Sequence, residues 1–441
     1  MEQFLNMLLV YNFLCAYMKF PVLQFENKRL LSNVSWLLGS EIAAKFSRIF
    51  VILILAAQLS SIEYGTIMLA LACHEVLKLV LRSGAGSQIV QCSEYQLAQF
   101  AKNGAVLQWL ICLSLAVFQT ALAYPIALFY DNAQLKELLM LMAIAYTLYP
   151  LVSVKVFLLQ RAGKMRYYSI CNALCILAEN ISIGIFALFD FGIMSVVYGK
   201  WVFVSLWVSL FYFAPVKHYS FGFNKPIFLS LIKSSGQLLS TELVRALRLQ
   251  QDILIGAQLL SPELFGIYSF AKSAGVGLSQ SLNNAFNSGL YPYLCDKNRK
   301  NTLPDFTLRI YTFTSFVALI FILQAIAVPF YVPILFEQPW QQNYSTVAFL
   351  CCAALPAIFI DTHCNFLRAK AKYQHELYVR IFCLSISGFG LFLFNAKTPV
   401  EFALSVLLMS GICLLALLIQ RCVLHRISII KLLTFRSHLN E

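Results

Sequence analysis

Residues Trp36 to Gly65 read WLLGSEIAAKFSRIFVILILAAQLSSIEYG. The stretch is long and apolar enough to span a bilayer, yet it carries Glu41, Lys45 and Arg48 near its middle. Steps of four and three residues put all three charges on one helical face. A charge at that depth costs at least about 2.5 kcal/mol on insertion scales, so it normally faces a protein interior or a wet cavity. The same design returns in SGQLLSTELVRALRLQQDILIGAQLLSPELFG, from Ser235 to Gly266. There Arg245 matches Lys45, Arg248 matches Arg48, and Ala257-Gln258-Leu259 matches Ala57-Gln58-Leu59. Ser261 and Glu263 match Ser61 and Glu63. The chain therefore contains an internal repeat.

Composition sets the class. Of the 441 residues, 60% are hydrophobic and 12% charged, about half the charged share of a soluble domain. This is a polytopic membrane protein. Its net charge of +13 reflects basic cytoplasmic loops and not nucleic-acid binding, because no soluble basic domain exists. Most of the thirteen cysteines fall inside apolar spans, and no disulfides are expected. Cys171 and Cys175 lie one helical turn apart, but no His or further Cys completes a metal site. No cofactor motif is present.

We count twelve spans: 34–58, 62–88, 98–123, 135–160, 167–189, 193–214, 226–258, 263–290, 308–335, 344–367, 376–395 and 399–420. The seventh is expected to begin with an interfacial turn. Residues 1–20 hold an apolar run too short to span comfortably, and translation could start at Met1 or Met18. Lysine and arginine crowd the loops on one side, Arg368 and Arg380 among them, whereas the opposite loops hold only Lys136 and Lys397. That bias places both termini in the cytoplasm. Six spans separate the two copies of the opening motif, so both enter the membrane in the same direction. The expected fold is an all-α membrane protein of two six-helix halves, related by a parallel repeat around a central cavity. Its parts are a cytoplasmic segment 1–33, a first half 34–214, a linker 215–225, a second half 226–420 and a cytoplasmic tail 421–441.

The charges within spans mark the candidate site. The bases are Lys45, Arg48, Lys78, Arg82, Lys155, Lys200, Arg245, Arg248 and Lys272; the acids are Glu41, Glu75, Glu179, Glu242, Asp252 and Asp361. Lys155 and Lys200 lie near span ends and are read as snorkelling. Glu41 with Lys45, Glu75 with Lys78, and Glu242 with Arg245 or Lys45 could be ion pairs that fasten helices, but pairing leaves cations to spare. A wet, net-positive cavity suits an anion, and arginine's planar fork matches phosphate. We assign Lys45, Arg48, Arg245 and Arg248 to phosphate, with Lys78, Arg82 and Lys272 lining the cytoplasmic approach. Glu41, Glu75, Asp252 or Asp361 would carry a coupling ion; Asp361 has no basic residue one turn away. His74 and His363 read as packed histidines.

The chain resembles the oligosaccharide flippases of bacterial polysaccharide assembly, the O-antigen (Wzx-type) translocases, in the superfamily of MATE transporters and the lipid II flippase. The likeness rests on Ala57-Gln58-Leu59-Ser60-Ser61-Ile62-Glu63-Tyr64-Gly65, Ser83-Gly84-Ala85-Gly86-Ser87-Gln88-Ile89-Val90-Gln91, Gln160-Arg161-Ala162-Gly163-Lys164 and Leu260-Ser261-Pro262-Glu263-Leu264-Phe265-Gly266. It implies a non-enzymatic flippase in the bacterial inner membrane. Its substrate would be an undecaprenyl-pyrophosphate-linked sugar repeat, driven across by H+ or Na+ and passed to a polysaccharide polymerase. Residue by residue it extends to Arg48 and Arg82, with Arg248 as the repeat partner of Arg48. Two other readings stand beside it. A drug–cation antiporter of the same fold would want an acidic cavity. A membrane polymerase or ligase would want catalytic groups on a sizeable external loop, and these loops are short.

Overall fold

The protein is described by a computed structural model covering residues 47–82, 85–217, 219, 221–299, 303–336, 340–370 and 372–437. Helix α1 (Ser47–Gln58) and α2 (Ser61–Arg82) contain the described part of the opening stretch. The turn between them is closed by a reciprocal cap. The Ser60 amide donates to Glu63 Oε2 (2.9 Å) and the Glu63 amide donates to Ser60 Oγ (3.3 Å), which satisfies two amides that a helix start leaves open. Thr398 and Glu401 repeat the device later in the chain.

The first half continues through α3 (Gly86–Gln91), α4 (Glu94–Phe129), α5 (Ala133–Ala143), α6 (Ala145–Leu148), α7 (Pro150–Arg161), α8 (Met165–Leu188) and α9 (Met194–Tyr212). Asn132 caps α5 by accepting from the Leu135 amide (3.2 Å), and its own amide donates to Thr66 Oγ1 on α2 (2.8 Å). The expected fourth span is broken: 133–148 and 150–161 meet at 59°. Pro150 sits at the break, where it can begin a helix but not continue one.

The second half comprises α10 (Lys225–Leu259), α11 (Pro262–Arg299), α12 (Leu303–Leu335), α13 (Tyr344–Ala369), α14 (Tyr373–Phe394) and α15 (Pro399–Ser437). Helix α10 is one helix of 35 residues, capped by Asn224. Its first turns lie on the first half, with Ile227, Phe228 and Leu231 against Ala85, Ile89 and Leu107.

Among the described residues seven helices are long and apolar enough to cross a membrane: α4, α8, α9, α12, α13, α14 and the Pro399–Gln420 part of α15; the bent 133–161 segment makes an eighth. The long helices outside that set are α2, α10 and α11, which carry Glu75, Lys78, Glu242, Arg245, Arg248, Asp252 and Lys272. They are also the helices by which the halves meet, since α2 packs on α10 and α11. A polar helix avoids lipid by taking the middle of the bundle.

A close backbone approach between the halves falls on the two copies of the repeat. A Cβ built on Gly266 would lie 1.7 Å from the Ser61 carbonyl oxygen, and one on Gly65 would lie 3.1 Å from Gly266 Cα. Small residues let backbones touch in membrane proteins. Around this point Tyr64, Phe270 and Trp340 form an aromatic cluster. Trp340 Nε1 donates to the Ala56 carbonyl (2.9 Å), Tyr130 Oη to Leu254 (3.0 Å) and Gln258 Nε2 to Phe129 (2.6 Å). All of these lie at the end where α1 turns into α2 and α10 into α11.

Candidate functional site

A cavity of about 160 Å³ lies inside the second half, walled by α10, α11, α13, α14 and α15. The steps of three and four along α10 that were read from the sequence do put Arg245, Arg248 and Asp252 on its wall, and α11 adds Lys272. Asp361 of α13 and Arg380 of α14 complete its charged lining. Every wall of this cavity belongs to the second half.

These charges are not equally committed. Lys272 Nζ bonds Asp252 Oδ1 at 2.6 Å, and Tyr268 Oη donates to Oδ2 of the same carboxylate at 2.6 Å. Arg245 meets Glu242 at 3.3 Å. Asp361 is not isolated, although no base lies one turn away on its own helix. Arg380 reaches it from α14 at 3.5 Å, and Asn283 donates to it at 2.9 Å. The Arg248 charge bears on it as well. An ion carrier needs a carboxylate with coordination to spare, and this one has little. Arg248 lines the cavity with no ion pair of its own among the described residues.

Arg368 and Arg380, expected in cytoplasmic loops, are built into the helical core instead. Glu376 is 1% exposed and Arg380 4%. Glu376 Oε1 accepts from Arg380 (2.9 Å) and Arg368 (2.7 Å), and Arg368 also reaches Glu242 (3.3 Å). A partly buried chain Glu242–Arg368–Glu376–Arg380–Asp361 therefore ties α10, α13 and α14 together and ends at the cavity. The sequence signal for it is the four-residue step from Glu376 to Arg380 at the start of an apolar helix, which puts the two on one face.

The first half holds a separate cluster. Glu75 and Lys78 pair on α2 at 3.2 Å. Lys200, read as snorkelling, is 8% exposed. It reaches from α9 to Glu179 of α8 at 2.7 Å and to Glu75 at 3.6 Å. Depth along a span located Lys200 poorly, because its partners come from other helices. The close approach of α8 and α9 is made at Gly199, where a Cβ would lie 2.3 Å from Ile183 Cγ1. His74, next to this cluster, is packed as expected: it stacks on Tyr146 with ring centroids 4.9 Å apart and shares hydrogen bonds with Tyr146 and Gln119. Lys155 lies at the edge, its ammonium 4.6 Å over the Tyr212 ring.

The assigned site residues thus fall into two groups. Arg245, Arg248, Asp252, Lys272 and Asp361 share the second-half cavity, and Glu75 and Lys78 sit in the first-half cluster. Arg48 stands exposed on α1. Arg82 ends α2, and its side chain lies outside what is described. Glu41 and Lys45 lie outside the described residues.

An all-helical bundle with charged helices at the junction of two halves is the build of a multi-pass membrane transporter. The family model for polysaccharide biosynthesis proteins matches residues 54–345, and this chain belongs to that family. Among solved structures it is similar to the lipid II flippase MurJ in an inward closed conformation, with a TM-score of 0.70 at 14% identity, over 89% of this chain and 87% of that one. It is similar to an inward-facing multidrug resistance MATE transporter of the MOP superfamily, with a TM-score of 0.64 at 10% identity, over 87% and 96%. A MOP superfamily transporter from Pyrococcus furiosus, described by a binding pocket of reverse polarity, aligns with a TM-score of 0.57 at 11% identity over 87% and 93%. At these identities the likeness is one of fold. No curated protein matches the sequence. The fold is one that flippases and transporters share.

Proposed function

We propose that this protein flips a polyprenyl-pyrophosphate-linked oligosaccharide from the cytoplasmic to the outer leaflet of the bacterial inner membrane, for O-antigen or another surface polysaccharide. The observation that carries the reading is the second-half cavity. Its ionisable lining has three arginines and a lysine against two aspartates, and Arg248 has no ion pair among the described residues. A guanidinium without an ion pair in a membrane cavity has donors to spare for a ligand, beyond the pull of its charge on Asp361, and a pyrophosphate offers two-point contacts. Arg245 and Arg248 hold the headgroup in this reading, and Arg48 receives it from the first half. The halves 34–214 and 226–420 rock about their junction with both termini in the cytoplasm, an ion gradient drives the cycle, and a polymerase takes the product.

A cation antiporter would need a cavity of the opposite sign, so the second reading finds no support there. The test is complementation of a null strain for surface polysaccharide at matched protein level. Wild type restores polymer, Arg248→Ala does not, and Arg248→Lys shows whether charge without the planar fork suffices. Full polymer with Arg248→Ala refutes the assignment. Lipid-linked repeats building up on the outer leaflet of the null strain, and not the inner, would point to a polymerase.

A further inference from the structure

Asp361 has different partners at its two carboxylate oxygens. Arg380 of α14 reaches Oδ1 at 3.5 Å, and Asn283 of α11 donates to Oδ2 at 2.9 Å. Behind Asn283 the amides continue as a ladder. Asn287 Nδ2 donates to Asn283 Oδ1 at 2.6 Å and to the Asn283 carbonyl at 2.8 Å. Asn365 Nδ2 of α13 donates to Asn287 Oδ1 at 2.6 Å. The two helices run in register here: Asn283 with Asp361 and Asn287 with Asn365 are both 78 positions apart, and each helix advances one turn between the two contacts. The surroundings are apolar. The same stretch of α11 puts Leu282, Phe286 and Leu290 into clusters with Phe321, Ile358 and Phe366.

The end of the ladder sets its direction. A carboxylate paired with arginine only accepts, so the Asn283 atom that faces it is the NH2 group. That leaves Asn283 Oδ1 to accept, and the group facing it is the NH2 of Asn287. By the same step the NH2 of Asn365 faces Asn287 Oδ1. All three amides therefore donate towards Asp361, and each link polarises the next. Asn283 lines the cavity, whereas Asn287 and Asn365 do not. Asn283 is 8% exposed and Asn365 9%, so these amides satisfy one another away from solvent.

We infer that Asn283, Asn287 and Asn365 are positioning residues of the anion site: they hold Asp361 to α11 and so keep Arg248 open for a phosphate. Arg248 makes no ion pair among the described residues, although its charge is felt at Asp361. Asp361 is thus the acid that would take Arg248 if it were released. Arg380 draws Oδ1 towards α14 and the ladder draws Oδ2 towards α11, which leaves the carboxylate turned from α10. Loss of the Asn283 amide frees Oδ2, and the nearest uncompensated cation is Arg248. An arginine bound by Asp361 has fewer donors left for a ligand. This role rests on the reading of Arg248 as a phosphate ligand, but the hold of the ladder on Asp361 can be measured without any phosphate.

The first measurement is thermal unfolding of the purified full chain in detergent. Arg248→Ala lowers the midpoint more in an Asn283→Ala background than in wild type, because Arg248 has gained Asp361 there. The excess disappears when Asp361→Asn is added. Equal shifts in the two backgrounds overturn the proposal. If Asn283→Ala is not monodisperse, Asn283→Ser takes its place: its hydroxyl still accepts from Asn287 but is too short to reach Asp361. The second measurement is calorimetric titration with inorganic pyrophosphate. Wild type binds it, Arg248→Ala does not, and Asn283→Ala binds about tenfold more weakly. Asn287→Ala and Asn365→Ala weaken binding by successively less, an order that direct contact with the ligand would not produce, since neither lines the cavity. Unchanged affinity in Asn283→Ala and Asn287→Ala overturns the proposal. If pyrophosphate fails to bind wild type while the excess thermal shift is present, the phosphate reading falls and the hold of the ladder on Asp361 remains.

Discussion

Gly266→Ala tests how the two halves close on each other. The added Cβ would sit 1.7 Å from the Ser61 oxygen and 2.4 Å from its carbonyl carbon. Both are backbone atoms at the head of α2, so no side-chain rotation relieves the clash. Ordinary contact needs more than about 3.4 Å, and α2 and α11 must separate by well over an ångström at this end. Forcing a methyl into a packed site costs about 1–3 kcal/mol, which is about a 5–150-fold change in a conformational equilibrium. Gly65→Ala is milder, with contacts at 3.0 to 3.2 Å to the Phe265 ring and the Gly266 backbone. Gly411→Ala meets nothing within 4 Å and serves as the control. The assay is disulfide trapping between cysteines placed at Met68 and Ser273, whose side chains approach to 3.5 Å. Trapping falls most in Gly266→Ala, less in Gly65→Ala and not at all in Gly411→Ala. Unchanged trapping in Gly266→Ala would refute the argument that this glycine pair closes one end of the transporter.

Four further outcomes follow from contacts between helices. Arg161 donates to the carbonyls of Ile89, Val90 and Cys92 and to Glu94; Arg161→Ala lowers stability by about 2–3 kcal/mol, read as thermal unfolding in detergent. Glu94 is 85% exposed, so Glu94→Gln changes the same measurement by less than about 1 kcal/mol. Glu376→Gln leaves two arginines short of their acceptor and costs about 3–5 kcal/mol, which appears as loss of monodisperse protein on size exclusion. Gly199→Ala drives its Cβ into Ile183 and prises α8 from α9, lowering thermal stability by about 1–3 kcal/mol; adding Ile183→Ala restores part of the loss, because the obstruction is a side chain.

Much of this arrangement was legible in the chain. The helical class followed from composition, and the repeat marked the two glycines that touch. Steps of three and four put Arg245, Arg248 and Asp252 on the cavity wall, and gave the Glu75–Lys78 pair. What could not be read were partners supplied by another helix. Lys200 looked like a snorkelling end charge because hydropathy measures depth along one helix and ignores its neighbours. Arg380 looked like a basic loop residue because a charged first turn resembles a loop flank. Asp361 looked free for the same reason: Arg380 lies nineteen positions away in sequence and one ion pair away in space.

The repeat also explains why the two halves use one arginine differently. Arg161 and Arg368 follow Pro150 and Pro356 at the ends of corresponding spans. In the first half the helix after the opening turn ends at Arg82 and resumes as the six-residue α3, whose C-terminal carbonyls have no continuing turn to accept from. Arg161 supplies those donors at 2.6 to 3.1 Å. In the second half the corresponding helix, α11, runs unbroken for 38 residues and makes no such demand. Arg368 instead meets Glu376 and Glu242. Once Glu376 is buried to hold Arg368 it also holds Arg380, and Arg380 in turn occupies Asp361. The continuity of α11 thus leads by steps to a cavity whose acids are already paired and in which Arg248, alone of its arginines, makes no ion pair among the described residues.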